Sequence, residues 1–259
     1  MLQRCCLFLW ALLLAGSALA QDIGVVMLHG KWGRPSSMTQ SVVHAIEWED
    51  WPVVQPTMPW AESRLYDAAY PEALQQIAEA VKGLRAKGVK RVVVAGHSFG
   101  ANAALAYASQ GGDTDAVIIM APGHNPRQSY ESGATRAAVD QARAWVAAGK
   151  GADSLDFVDI NQGRRRNLSA RADVFLSYFD PEGLGNIPTS TTHIPRPLPL
   201  FWVIGTLDPL YPAGQAYAYD KAPPHPLSHY LVVEADHANT PEAAKDAIVA
   251  WLKTLAAQR

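Results

Sequence analysis

The segment VVVAGHSFGANAALAYA, residues 92–108, constrains the fold of this chain more than any other part of it. Its first half is a run of apolar residues typical of a buried strand, and its second half is typical of a helix. Between the halves, Gly96 and Gly100 flank Ser98 in a Gly-x-Ser-x-Gly pattern. This pattern predicts a sharp strand-to-helix turn that strains the serine backbone and exposes its hydroxyl, although an ordinary tight turn is the alternative. We interpret Ser98 as a candidate nucleophile.

Strand and helix patterns alternate along the rest of the chain. The candidate strands are residues 23–30, 53–59, 91–97, 115–122, 200–206 and 229–235. Most of them are continuously apolar, as strands are when both faces of their sheet are covered. The alternation predicts an α/β fold with a mostly parallel sheet of about six strands and helices on both faces. Ligands bind such sheets beyond the carboxyl ends of the strands.

Residues 124–195 interrupt this alternation. The stretch contains a candidate helix at 134–148 and a polar segment with three arginines at 164–166, between two predicted strands. A simple crossover does not need so many residues, so we predict a cap-like insertion that lies over the ligand end of the sheet. No linker or repeat divides residues 21–259, which we interpret as one domain.

The first 20 residues have the order of a secretory signal peptide: one basic residue (Arg4), a short apolar core and small residues that end at Ala20. An uncleaved membrane anchor is the alternative, but the apolar core is shorter than the roughly 20 residues that span a bilayer. We therefore expect an exported protein, periplasmic or secreted. Both cysteines of the chain, Cys5 and Cys6, belong to this segment, so no disulfide or thiolate metal site is expected after cleavage.

The charge of the chain is nearly balanced, with 22 lysines and arginines against 24 aspartates and glutamates. Proteins that bind nucleic acid usually carry a basic face. This composition argues against a nucleic-acid partner and is compatible with a small-molecule substrate.

A serine hydroxyl is a weak nucleophile at neutral pH and needs a base that is oriented by an acid. His237 directly follows the last predicted strand, and Asp208 follows the strand before it. Both residues therefore belong to the edge of the sheet at which Ser98 is predicted. Asp180, in a similar Asp-Pro sequence within the insertion, is the competing acid.

An oxyanion that forms during acyl transfer is best stabilised by oriented backbone N–H groups. One candidate donor is the N–H of Phe99, directly after the serine. The other is the N–H of Lys31, in the loop MLHGKWG at 27–33, although His29 and Gly30 could simply end a strand there.

Two tryptophans are candidates for the wall of a substrate pocket. Trp32 lies beside the loop of Lys31, and Trp60 follows a predicted strand; core packing is the alternative for both. The arginines at 164–166 could meet an anionic substrate or form a solvated surface.

The sequence resembles the α/β-hydrolase superfamily from about Asp22 to its C-terminus. LHGKWG, GHSFG, GTLDPL and ADH stand where that family keeps its oxyanion loop, nucleophile, acid and base, and in the same order. One departure is visible: the first two strands of the full family sheet are missing, which leaves about six.

The resemblance implies a serine hydrolase that cleaves small or medium acyl esters through a Ser-His-Asp triad and an acyl-enzyme, without a metal or cofactor. An acyltransferase, or an amidase or peptidase, would use the same triad. A non-catalytic accessory protein of the same fold is the further alternative. The sequence does not separate the enzyme alternatives, because specificity resides in the insertion, and the competent residue at each catalytic position argues against the accessory protein.

Overall fold

The computed structural model describes residues 22–35 and 37–258. The predicted signal peptide at 1–20 lies outside the described residues and stays a prediction. No helix in the described ranges has the length and apolarity that a membrane span requires.

The strands are β1 (Ile23–Leu28), β2 (Val53–Val54), β3 (Arg91–Ser98), β4 (Ala116–Pro122), β5 (Ser154–Asn161), β6 (Arg164–Arg171), β7 (Leu200–Gly205) and β8 (His229–Val233). The helices are α1 (Gln40–Glu47), α2 (Tyr70–Ala86), α3 (Phe99–Ser109), α4 (Pro126–Glu131), α5 (Arg136–Ala147), α6 (Ala172–Phe179), α7 (Ile187–Thr192) and α8 (Thr240–Ala256). Short 3-10 turns occupy Tyr211–Ala213, Gln215–Tyr217 and Tyr219–Lys221.

Six strands form one parallel sheet in the order β2-β1-β3-β4-β7-β8. Apolar side chains of α1 and α8 pack on one face of this sheet, and those of α2 and α3 pack on the other. The continuously apolar strands are therefore covered on both faces, as their sequences require. The predicted α/β fold with a six-stranded sheet is confirmed.

Five of the six predicted strands agree with the structure to within two residues at each end. The exception is the strand predicted at 53–59, which pairs with β1 only over Val53–Val54. Pro56 and Pro59 have no N–H to contribute to a ladder, so the chain leaves the sheet before them.

Between β4 and β7, the chain forms four helices, α4 to α7, and a separate antiparallel hairpin of β5 and β6. The helix predicted at 134–148 is α5. The hairpin was not predicted, because a charged residue, Asp159, occupies one of the inward positions of β5 and hides the strand alternation. Gln162 and Gly163 form its two-residue turn, with φ of 49° and 74° as a type I′ turn requires.

Candidate active site

Ser98 lies at the junction of β3 and α3 with φ of 57° and ψ of −120°, a conformation that side-chain-bearing residues rarely adopt. The turn is tight because the strand and the helix approach each other closely. A Cβ atom on Gly96 would lie 2.2 Å from the carbonyl carbon of Gly100, and one on Gly100 would lie 2.3 Å from the carbonyl oxygen of Leu28. Both glycines are therefore required by backbone packing, and the backbone strain at Ser98 follows from the same turn.

Ser98, His237 and Asp208 form a hydrogen-bonded chain at the carboxyl ends of β3, β8 and β7. Nε2 of His237 lies 2.9 Å from Oγ of Ser98, and Nδ1 lies 2.6 Å from Oδ2 of Asp208. An ionised carboxylate only accepts hydrogen bonds, so Nδ1 carries the ring proton and Nε2 is free to accept the serine proton. The competing acid, Asp180, instead accepts a hydrogen bond from Arg143 at 2.9 Å.

The carboxylate of Asp208 is held from its other side. Asp208 is only 3 % exposed, and its Oδ1 accepts a hydrogen bond from the backbone N–H of Leu210 at 2.7 Å. With one oxygen occupied by the backbone and the other by His237, the carboxylate has a fixed orientation.

His97 supports the ring of His237, a contact that sequence reasoning missed. Nε2 of His97 donates to the main-chain carbonyl of His237 at 2.8 Å, and the two rings lie 5.0 Å apart. Burial, and to a smaller extent the neighbouring His237, lowers the pKa of His97 to about 4. At neutral pH the His97 ring is uncharged, so it holds the His237 main chain without placing a positive charge beside it. Only its position next to Ser98 could have pointed to it.

Two histidines with strongly lowered pKa values make the stability of the fold depend on pH. The pKa of His97 is about 4 and that of His124, lowered by burial and then by the charge of Lys31, is about 3. Below pH 6.5 the unfolded chain protonates these rings while the folded protein does not, so the free energy of unfolding falls as the pH falls. We expect a loss of about 2 kcal/mol for each ring between pH 7 and pH 5.

Urea unfolding of the wild type at pH 7 and pH 5 measures this loss. His97→Gln keeps an N–H that can donate to the same carbonyl but cannot titrate, so its unfolding free energy should depend less steeply on pH. A wild-type free energy that is equal at the two pH values would contradict this account of the buried rings.

The two residues predicted to supply backbone donors belong to segments that adjoin Ser98. Phe99 is the first residue of α3, and the loop that carries Lys31 passes directly beside the serine: a Cβ atom on Gly30 would lie 3.1 Å from Cβ of Ser98. The ammonium group of Lys31 takes no part in this contact between the loop and Ser98. It forms an ion pair with Asp159 of β5 at 2.7 Å.

Two cavities meet at Ser98. The larger has a volume of about 970 Å³ and lies between α4, α7 and the segment after β7. The smaller has about 680 Å³ and lies between the Lys31 loop and the β5–β6 hairpin. The residues that line both are Lys31, Ser98, Asn161, Gln162, Pro209 and His237. The turn of the β5–β6 hairpin therefore lies between the two cavities, and Ser98 lines both.

The two tryptophans have different places. Trp32 lines the smaller cavity, together with Arg164 and Arg166 of the hairpin. Trp60 lines neither cavity, which differs from the predicted pocket wall: its indole is fully buried, and its Nε1 donates to the carbonyl of His29 at 2.8 Å. Since Trp60 also accepts the N–H of Trp32 through its carbonyl at 2.9 Å, it supports the Lys31 loop from the core side.

Within residues 22–35 and 37–258, no group of three or more His, Cys, Asp or Glu side chains is placed to hold a metal ion.

A family model, that of the alpha/beta hydrolase family, matches residues 25–251. The chain belongs to this family. The match includes all three residues of the hydrogen-bonded chain and both residues predicted to supply backbone donors, and the assignment supports a hydrolase. No curated protein matches the sequence.

Several solved structures resemble this one along most of its length. A monoacylglycerol lipase from Paleococcus ferrophilus has a TM-score of 0.64 and 18 % identity, covering 89 % of this chain and 94 % of that one. Est1E from Butyrivibrio proteoclasticus, with ferulic acid bound, has a TM-score of 0.62 and 15 % identity, covering 92 % and 91 %. A structure from work on the metagenome-derived lipolytic enzymes LipS and LipT has a TM-score of 0.60 and 13 % identity, covering 92 % and 94 %. At these identities the likeness shows the fold.

Proposed function

We propose that this α/β hydrolase is a serine hydrolase that cleaves carboxylic esters through an acyl-enzyme intermediate. The observation that carries the proposal is the chain from Ser98 through His237 to Asp208, with distances of 2.9 Å and 2.6 Å. These are distances over which a proton can pass from the serine to the imidazole as the serine attacks.

In the proposed reaction, Oγ of Ser98 attacks the ester carbonyl while Nε2 of His237 accepts its proton. The negative charge that develops on the carbonyl oxygen is stabilised by the backbone N–H groups of Lys31 and Phe99. The carbon–oxygen bond to the alcohol then breaks, and His237 returns the proton to the leaving oxygen. A water molecule, activated by the same imidazole, attacks the acyl-enzyme and releases the acid. Asp208 keeps the imidazole oriented and stabilises its charged form.

The two cavities support a substrate with a sizeable group on each side of the scissile bond. Because they meet at Ser98, one cavity can take the acyl group while the other takes the alcohol. A monoacylglycerol lipase is among the structural neighbours, which supports esters as the first class to test.

We expect a fluorophosphonate probe to label the folded protein at Ser98 and at no other serine, because only an activated serine attacks the phosphorus centre. Mass spectrometry of the labelled peptides identifies the site, and Ser109→Ala in the same helix region serves as a control that should label as the wild type does. Folded wild-type protein that takes up no probe would refute the proposed function.

A panel of chromogenic esters of increasing acyl chain length then tests the reaction itself. We expect turnover of short and medium acyl esters, with the free acid as the product. Transfer of the acyl group to an added alcohol or amine in preference to water would instead favour an acyltransferase.

A further inference from the structure

The carboxylate of Asp159 is buried and has four hydrogen-bond donors. Oδ1 accepts from Nζ of Lys31 at 2.7 Å and from the N–H of Ile160 at 2.7 Å. Oδ2 accepts from Nε1 of Trp32 and from the hydroxyl of Tyr66, both at 2.8 Å. Two consecutive residues of the loop beside Ser98 are thus bound to one carboxylate of the insertion.

The hairpin also holds the Lys31 loop through its main chain. Nδ2 of Asn161 donates to the carbonyl of Lys31 at 3.2 Å, while Nζ of Lys31 donates to the carbonyl of Ile160 at 3.1 Å. The backbone and the side chain of Lys31 are therefore both fixed by residues at the end of β5. This leaves the peptide groups around Lys31 little freedom to rotate.

A contact of this kind is a costly way to stabilise a fold. The side chains of Lys31 and Asp159 are 4 % and 1 % exposed, and a buried ion pair regains little more than its desolvation penalty. Burial lowers the pKa of Lys31, and the neighbouring Asp159 opposes that change. Apolar side chains of similar size would fill the same space, so packing does not account for the ion pair of Lys31 and Asp159. We explain the pair by the position in which it holds the Lys31 loop.

We propose that Asp159 is a positioning residue for catalysis: by binding Lys31 and Trp32, it fixes the Lys31 backbone N–H at the distance and angle that the oxyanion needs. This inference rests on the proposed function of the site. It makes the hairpin of the insertion part of the catalytic apparatus, although Asp159 itself does not touch the substrate.

Asp159→Asn tests the proposal, because the amide keeps the size of the side chain and loses its charge. We expect kcat per active site to fall about 10- to 100-fold, while KM changes less than about threefold, as for the misplacement of a group that acts only in the transition state. Active sites are counted by titration with a fluorophosphonate, so that unfolded protein does not enter the comparison. Asp156→Asn, the same change at an exposed position of the same strand, is the matched control and should keep the wild-type kcat.

The double variant Lys31→Met with Asp159→Asn separates positioning from folding. It removes both buried charges and keeps the backbone donor at residue 31, so we expect it to be more stable than Asp159→Asn alone while kcat per active site stays low. A double variant that regains the wild-type kcat, or an Asp159→Asn protein with kcat per active site within twofold of the wild type, would overturn the positioning role and leave the proposed function standing. Wild-type protein that takes up no fluorophosphonate would refute the proposed function and the positioning role with it.

Discussion

Replacing Ser98 by alanine is expected to lower kcat/KM for ester hydrolysis by a factor on the order of 10⁴ or more. The substitution removes the oxygen that would form the acyl-enzyme, while the proposed oxyanion donors at Lys31 and Phe99 remain. Those donors would still stabilise direct attack by water, which sets the residual rate. The measurement is the steady-state hydrolysis of the best chromogenic ester by equal concentrations of folded wild type and variant.

A second replacement at the same position separates chemistry from backbone strain. Ser98→Gly removes the same oxygen, so its activity should be as low as that of Ser98→Ala. Since glycine tolerates φ of 57° and ψ of −120°, we expect Ser98→Gly to be more stable than Ser98→Ala by about 1 kcal/mol in urea unfolding. If Ser98→Ala left the biological activity of the protein unchanged, an accessory role without turnover would instead be favoured.

Replacing Gly100 by alanine is expected to destabilise the fold strongly. The added methyl would lie 2.3 Å from the carbonyl oxygen of Leu28, and both atoms belong to elements that are fixed by the centre of the sheet. Overpacking against side chains costs about 1 to 3 kcal/mol. Here the added methyl group would meet a backbone carbonyl, which can move less than a side chain can. We expect a loss of at least about 3 kcal/mol of unfolding free energy, which is a large part of what a domain has.

The control for this prediction is Gly83→Ala in α2. A Cβ atom there would meet nothing within 4 Å, and alanine favours the helix more than glycine does. We expect a gain of about 0.5 to 1 kcal/mol. Thermal unfolding of both variants checks the pair, and equal melting temperatures would show that the turn at Gly100 is looser than the distances indicate.

Much of the fold could be predicted because buried parallel strands have a distinctive local pattern. The runs at β1, β3, β4 and β7 are continuously apolar, and the pattern alone gave their ends to within two residues. The strand at 53–59 was overestimated because apolar composition outweighed the two prolines. The strands of the hairpin were missed because their inward positions include a charge.

The candidate site was predictable to the extent that each residue follows a recognisable strand. Ser98, Asp208 and His237 all stand at strand ends, so a parallel sheet brings them to one edge whatever the details of packing. Trp60 also lies near a strand end, yet its indole is buried in the core, where it donates a hydrogen bond to the carbonyl of His29. Position after a strand predicts the edge at which a residue lies, but not the direction of its side chain.

The sequence by itself determined the sheet, the turn at the serine and the order of the residues around it. These features depend on residues that are close together in the sequence, so local sequence patterns predict them. Only the tertiary structure decided that a carboxylate of the insertion binds the loop beside the serine, across 128 positions from Lys31 to Asp159. A charged residue in an alternating strand looks like a surface residue until its partner is known. The partner is chosen by packing and desolvation, which no short stretch of sequence contains.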